Sequence, residues 1–256
     1  LAFAGDAMGF EPSYSMHPLI CRVVGRHWHG LNRRSDFSID VEAALVALKE
    51  KRPTLVFLTT PNNPTGTSIP LQEISRITSA ALENRAIVVV DEAYAEFSQS
   101  PSAVTLIDKH PNLILVRTMS KAFAFAGARV GYLVARPEVV NAMMLVRLPY
   151  HLSALTQAAA IAALELSSEL LGNVERIIHS RNLMAAELKA LGLTVAASDS
   201  NFLLFTGFKG GSQRLWSAIA GDGVLIRDVG IPDHLRVTIG TEPENQAFLR
   251  SLKSHL

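Results

Sequence analysis

The chain reads as an α/β protein, a mainly parallel sheet set between helices and followed by a smaller α+β unit, and three observations carry that reading. Runs of β-branched residues alternate with amphipathic helical stretches, the pattern of a parallel sheet covered on both faces. Three of those runs end in polar clusters, and in open α/β sheets the carboxyl edge of the strands is where ligands bind. A chain of 256 residues with 48% hydrophobic content is also long enough for one large domain, or a large and a small one, around a sizeable core.

Taken in order, Leu1 to Pro12 is a short glycine-containing stretch. Asp40 is a natural N-cap for a helix from Val41 to Glu50, on which Val41, Leu45 and Leu48 mark one apolar face. Thr54 to Thr60 reads as a buried strand running into the turn Pro61-Asn62-Asn63-Pro64-Thr65-Gly66. Pro70 starts a helix to Glu83 with Leu71, Ile74 and Ile77 facing inward. Ala86 to Val90 is a second strand, ending in Asp91-Glu92-Ala93-Tyr94, and Leu113 to Val116 is a third, leading to Thr118, Ser120 and Lys121. Val130 to Ala135 adds another strand. From Pro137 the chain turns helical, pauses at Pro149, and continues from Ser153 to about Ser180, a length that usually bridges domains. Beyond it come a strand at Asn201 to Phe205, a helix at Gln213 to Ala220, and strands at Val224 to Arg227 and Leu235 to Thr238. Thr241 and Glu244 form a capping-box pair for a last helix with Phe248 and Leu252 inward. The expected division is residues 1–150 as a large domain, 151–180 as a linking helix and 181–256 as a small domain.

Lys and Arg total 24 against 23 Asp and Glu, a near-neutral balance that argues against nucleic-acid binding. The single cysteine, Cys21, excludes an internal disulfide and, beside Ile20 and Val23, reads as a buried thiol. The longest uncharged run, Leu148 to Leu164, is broken by Pro149, His151, Ser153, Thr156 and Gln157 and makes a poor membrane span. With no signal peptide visible in a chain that starts at Leu1, a cytoplasmic location is expected, and no metal site.

The chemistry concentrates in Arg117 to Gly131. A lysine in a small, uncharged neighbourhood loses its proton readily and becomes an amine able to form a Schiff base; Lys121 is placed so. The hydroxyls of Thr118 and Ser120 precede it, and Arg129, a fork-shaped cation suited to phosphate, follows. Together they match an aldehyde that carries a phosphate, and pyridoxal 5'-phosphate (PLP) is such a molecule. Alone, a lysine after serine is nearly always a solvated surface residue, so the other polar strand ends carry the weight.

Four motifs in one order, Pro-Asn-Asn-Pro-Thr-Gly at 61–66, Asp-Glu-Ala-Tyr at 91–94, Thr-Met-Ser-Lys-Ala-Phe at 118–123 and Arg-Val-Gly at 129–131, resemble the fold-type I PLP-dependent aminotransferases, in the branch that contains histidinol-phosphate aminotransferase. Pro12-Ser13-Tyr14 and Leu235-Arg236-Val237-Thr238 extend the resemblance over almost the whole chain. It implies a mainly parallel seven-stranded sheet with Val130 to Ala135 as the antiparallel member. It also implies that Tyr14 stacks on the cofactor ring, with His17 three residues on in a supporting role at best. Asp91 would keep the ring nitrogen protonated through an ion pair; it could instead cap a turn, but an aspartate after four β-branched residues needs a partner if buried. Asn63 and Tyr94 would donate to the phenolic oxygen, although Asn63 is also good turn chemistry. Thr118, Ser120 and Arg129 would hold the phosphate, and Lys121 would be both anchor and proton carrier. Arg236 would clamp a substrate carboxylate, and Arg227 either meets a distal substrate phosphate or pairs with Asp228.

The implied reaction is transamination between L-histidinol phosphate and 2-oxoglutarate by a homodimer with shared sites. An aromatic amino-acid aminotransferase would share every cofactor residue, and a phospho-amino-acid decarboxylase nearly all. A PLP-fold regulatory domain following a winged helix is the non-enzyme alternative, which the charge balance and the Lys/Asp/Arg set disfavour. Relatives of this kind carry a glycine-containing turn at a helix N-terminus ahead of the Pro-Ser-Tyr motif, where backbone N–H groups hold the cofactor phosphate; that segment is expected upstream of Leu1.

Overall fold

The computed structural model describes residues 5–256. Its first half runs β1 (Ala7–Glu11), α1 (Met16–Val23), β2 (Trp28–Asn32), α2 (Val41–Lys51), β3 (Leu55–Thr59), α3 (Leu71–Glu83), β4 (Ile87–Asp91), β5 (Leu113–Thr118) and β6 (Gly131–Val134). Helices α4 (Pro137–Val146), α5 (Ala154–Glu165) and α6 (Ser167–Ala190) follow. The chain closes with β7 (Thr194–Val195), β8 (Phe202–Thr206), α7 (Ser212–Gly221), β9 (Arg227–Asp228), β10 (Leu235–Thr238) and α8 (Glu242–His255).

Six strands form the large sheet in the order β2-β1-β3-β4-β5-β6, the first five parallel and β6 antiparallel to β5. This corrects the expected count of seven: among the described residues the remaining strands, β7 to β10, pair with one another, and β6 is left as an edge. Both faces of the sheet are covered, which is why its central strands read as unbroken apolar runs. On one face Val56, Leu58, Val88 and Leu115 pack against Ala44 and Leu48 of α2 and Ile74 and Ile77 of α3. On the other, Leu55, Val89 and Ile114 pack with Cys21 of α1, whose thiol is buried and therefore has its pKa pushed up. Each buried Leu or Ile side chain contributes roughly 1.5–3 kcal/mol.

Helix α2 begins where its cap places it, since the Asp40 carboxylate accepts the Ala43 N–H at 3.0 Å. The capping box of α8 is also present, with Glu244 reaching back to the Thr241 N–H at 2.7 Å, and Phe248 and Leu252 are buried. Other elements depart from the sequence reading. The long helix expected to end near Ser180 continues to Ala190 and is broken at Leu166, whose φ of −93° and ψ of 16° separate α5 from α6. The strand expected at Val224 to Arg227 shrinks to Arg227–Asp228, because its backbone groups are taken elsewhere: the Val224 N–H donates to Ile219 and the Ile226 carbonyl accepts from the Trp216 indole. The segment before Pro12 contains β1, in which Gly9 is needed because a Cβ there would sit 2.3 Å from the Trp28 ring.

The second sheet, β7-β8-β10-β9, is wholly antiparallel and packs on α6, α7 and α8 around Phe205, Leu215, Leu235 and Phe248. Its link to the large sheet includes a buried cluster of Tyr94, Phe97 and Ala122 with Val174 and Phe202. Phe202 of β8 meets the Tyr94 ring edge-on at 5.3 Å, and the Arg181 guanidinium of α6 donates to the carbonyls of both Phe97 and Ser200. Gly66, at φ 84°, carries its carbonyl to the Asp199 N–H and lies so close to Ser198 that a Cβ would fall 2.5 Å from its hydroxyl.

Candidate active site

The carboxyl ends of β3, β4 and β5 deliver three polar segments to one place. After β3 the turn is organised by Asn62, which is fully buried: its amide donates to the Pro12 carbonyl and the Thr65 hydroxyl, and its oxygen accepts from the Ser13 hydroxyl. Those bonds hold the Pro12–Tyr14 segment against the turn and leave Asn63 facing the cavity.

At the end of β4 the Asp91 carboxylate is held by both oxygens. Oδ1 accepts the Ala93 N–H at 3.0 Å and Oδ2 lies 3.5 Å from Nε2 of His17. His17 in turn stacks on Phe57 with ring centroids 4.4 Å apart and meets Tyr14 edge-on at 5.6 Å. The helical spacing of Tyr14 and His17 therefore ties the expected ring-stacking residue and the expected acid to one imidazole. Glu92 points the other way and is buried under Ser102, Ala103 and Arg117.

After β5, the Thr118 hydroxyl donates to Ser120 Oγ at 2.9 Å and accepts the Ser120 N–H at 3.1 Å, a tight turn that presents Ser120 and Lys121. Arg129 sits in the left-handed region at φ 57°, with its guanidinium on the Ala126 carbonyl at 3.1 Å. Tyr14, Asn63, Asp91 and Tyr94 line one cavity of about 340 Å³ together with Thr118, Ser120, Lys121 and Arg129. The Lys121 amine stands 5.6 Å from the Tyr94 ring centroid.

Electrostatics follow from that crowding. Burial, then the nearby cations Arg236 and Arg129, lower the Lys121 pKa, so the neutral amine is more accessible than on a free lysine. Burial raises the Tyr94 pKa and keeps the phenol a hydrogen-bond donor. Arg236 reaches in from β10 of the second sheet: its Nη1 donates to Asn63 Oδ1, its guanidinium lies 4.6 Å over the Phe202 ring, and its Nε is buried without a partner. Burial lowers its pKa, and Arg227, opposite it in the β9–β10 register, pushes the same way. Arg227 itself is exposed, and among the described residues it makes no ion pair with Asp228, whose carboxylate accepts the Gly230 N–H instead. An amine, a braced carboxylate, paired hydroxyls with a guanidinium, and a second guanidinium carrying an orphaned N–H suit a ligand with an aldehyde, a basic ring nitrogen and anionic groups. The family model for class I and class II aminotransferases matches residues 3–252. The chain belongs to that family.

Within it, the chain is similar to curated histidinol-phosphate aminotransferases. It is 55% identical to that of Nocardia farcinica over 97% of its own length and 53% identical to that of Rhodococcus opacus over 97%. It spans 65% of the length of each of these two relatives. Among solved structures, the histidinol-phosphate aminotransferase of Clostridium acetobutylicum superposes with a TM-score of 0.92 at 24% identity, covering 99% of this chain and 78% of that one, a likeness of fold. That of Sinorhizobium meliloti, solved in complex with pyridoxal 5'-phosphate, gives 0.86 at 26% identity over 98% and 70%.

Two aminotransferase features escaped the sequence reading. Arg117 and its carboxylates form a buried network beside the cavity, and Phe202 supplies the face on which Arg236 rests. The first was signalled by an arginine inside the apolar run Leu-Ile-Leu-Val-Arg, which burial obliges to find an acid. The second had no local signal, because Phe202 and Arg236 meet only through the register of β8 and β10.

Proposed function

We propose that the protein is a PLP-dependent transaminase that moves the amino group of L-histidinol phosphate to 2-oxoglutarate, in the cytoplasm and as a homodimer. The observation that carries the reading is the meeting of the Lys121 amine, the Asp91 carboxylate and Arg129 in one cavity with Arg236 at its rim. The orphaned Nε of Arg236 and the Asp91 carboxylate lining the cavity fit PLP and an anionic substrate. When bound, PLP supplies an electron sink for the carbanion left at the substrate's α-carbon.

The chain's own residues do the rest. With the cofactor bound, Tyr14 would cover the ring, Asp91 would keep the ring nitrogen protonated, and Asn63 and Tyr94 would donate toward the phenolic oxygen. Thr118, Ser120 and Arg129 would grip the phosphate. The Lys121 amine would anchor the cofactor and would also serve as the base for the substrate's α-proton. Histidinol phosphate bears a phosphomethyl group where an amino acid bears its carboxylate, so Arg236 meets a phosphate in one half-reaction and a carboxylate in the other. A second guanidinium, Arg227, beside the first suits the dianion. Large exposed apolar side chains at Leu145, Val146, Leu148, Tyr150 and Leu155 support the homodimer, since runs of that kind are usually covered by a partner.

Turnover of histidinol phosphate and of phenylalanine, each with 2-oxoglutarate and read as glutamate formed, tests the substrate. Preference for histidinol phosphate, lost in Arg227→Ala, is expected; equal or greater turnover of phenylalanine would make this an aromatic amino-acid aminotransferase.

A further inference from the structure

We infer that Arg117 is the positioning residue of this site, a fork that locks the segment carrying Asp91 and Tyr94 to the strand delivering Thr118, Ser120 and Lys121. Arg117 donates through Nε and Nη2 to one oxygen of Glu92, at 3.0 and 2.7 Å, and through Nη2 to the Ser102 hydroxyl at 2.8 Å. Glu92 is the residue after Asp91, and Arg117 the residue before Thr118. The same carboxylate accepts the Ala103 N–H at 2.7 Å, and the Glu92 N–H donates to the Val116 carbonyl at 2.9 Å. Both ends of the loop segment from Glu92 to Ser102 are thereby fastened to one guanidinium on β5.

The clamp is charged, with Glu92 buried and Arg117 partly so, and its geometry is directional. A guanidinium has planar, directional donors, and leaving either partner unpaired inside the protein is costly. A second acid, Glu96, stands 3.9 Å from Arg117 and has its other oxygen buried without a partner. Burial, opposed by Arg117 and reinforced by Glu92, raises the Glu96 pKa. Because Lys121 follows Arg117 by four residues and faces Tyr94, slack in the clamp changes the distance between the amine and its neighbours rather than the identity of either.

This inference rests on the reading of Lys121 as the reactive amine, and its test separates the two. Arg117→Met with Glu92→Met replaces the buried pair by apolar side chains of similar length, an exchange that proteins often tolerate without loss of stability. On the full-length protein without cofactor, the pH dependence of Lys121 labelling by acetic anhydride is compared between wild type and the double variant. The midpoint is expected to lie below that of the other lysines in wild type and to move up toward them in the folded variant. With PLP and substrates, kcat is expected to fall about 100-fold with a smaller change in KM, the effect of a misplaced reacting group. Arg117→Lys keeps the charge but not the fork and is expected to fall in between, and it serves as the test should the double variant fail to fold. A purely structural pair would lower thermal stability and leave the Lys121 midpoint where it was. Wild-type labelling and turnover in a folded double variant, or in Arg117→Lys, overturn the proposal. A shifted midpoint in a protein that never binds PLP would keep the clamp and remove the cofactor reading.

Discussion

In the proposed reaction Lys121 and Asp91 divide the chemistry between them, and each makes a prediction of its own. Lys121→Ala should abolish turnover while leaving the circular dichroism spectrum unchanged, because Lys121 lines the cavity yet is largely exposed. Asp91→Ala should still bind cofactor but slow proton abstraction by orders of magnitude, since among the described residues Asp91 is the one carboxylate lining the cavity; single-turnover rates equal to wild type would remove Asp91 from the mechanism. The depressed pKa of Lys121 also has a stability consequence. Between its folded and unfolded values the unfolded chain holds a proton that the native state has lost, so this group's contribution rises with pH across that window. Lys121→Met should accordingly stabilise the cofactor-free protein most below the folded pKa, with the gain shrinking as pH rises toward the ordinary lysine value; urea melts over that range read it, and a pH-independent difference would contradict it. At this scale the sequence was most informative. Lys121, Asp91, Asn63 and Arg129 stand in the motifs that carry the resemblance, and the structure brings them to one cavity, whereas the Arg117 clamp had no such signal because its partners lie just after β4 and in the loop before β5.

Among the elements, those with a complete local signal were read closely. Asp40 and the Thr241/Glu244 box each satisfy donors that a helix leaves open, so α2 and α8 begin where their caps stand. Thr241→Ala should cost about 1 kcal/mol by urea denaturation, and no loss would mean that the box is redundant with the packing of Phe248. Elements decided by distant partners were read poorly. Strand β1 has only small, flexible or polar residues around Phe10 and exists because β2 and β3 flank it. Residues 224–226 have strand-like side chains, yet Trp216 and Ile219 claim their backbone groups first.

The molecule as a whole brings Arg236 of one sheet to Asn63 of the other, and the site is complete only while that approach holds. Gly66 stands at the hinge of this contact: Gly66→Ala would push a methyl into Ser198 and strain a left-handed backbone, moving Asp199 away. Raised KM for both substrates with less change in cofactor affinity is the expected result, and unchanged kinetics would show that the contact between the sheets is not limiting. The division into residues 1–150, 151–180 and 181–256 is part of the same proposal. The central claim is that these sheets assemble one PLP site around Lys121, and trapping tests it most directly. Full-length protein loaded with PLP, reduced with borohydride and mapped by peptide mass should carry the pyridoxyl group on Lys121; a label on another lysine, or none, would contradict the account.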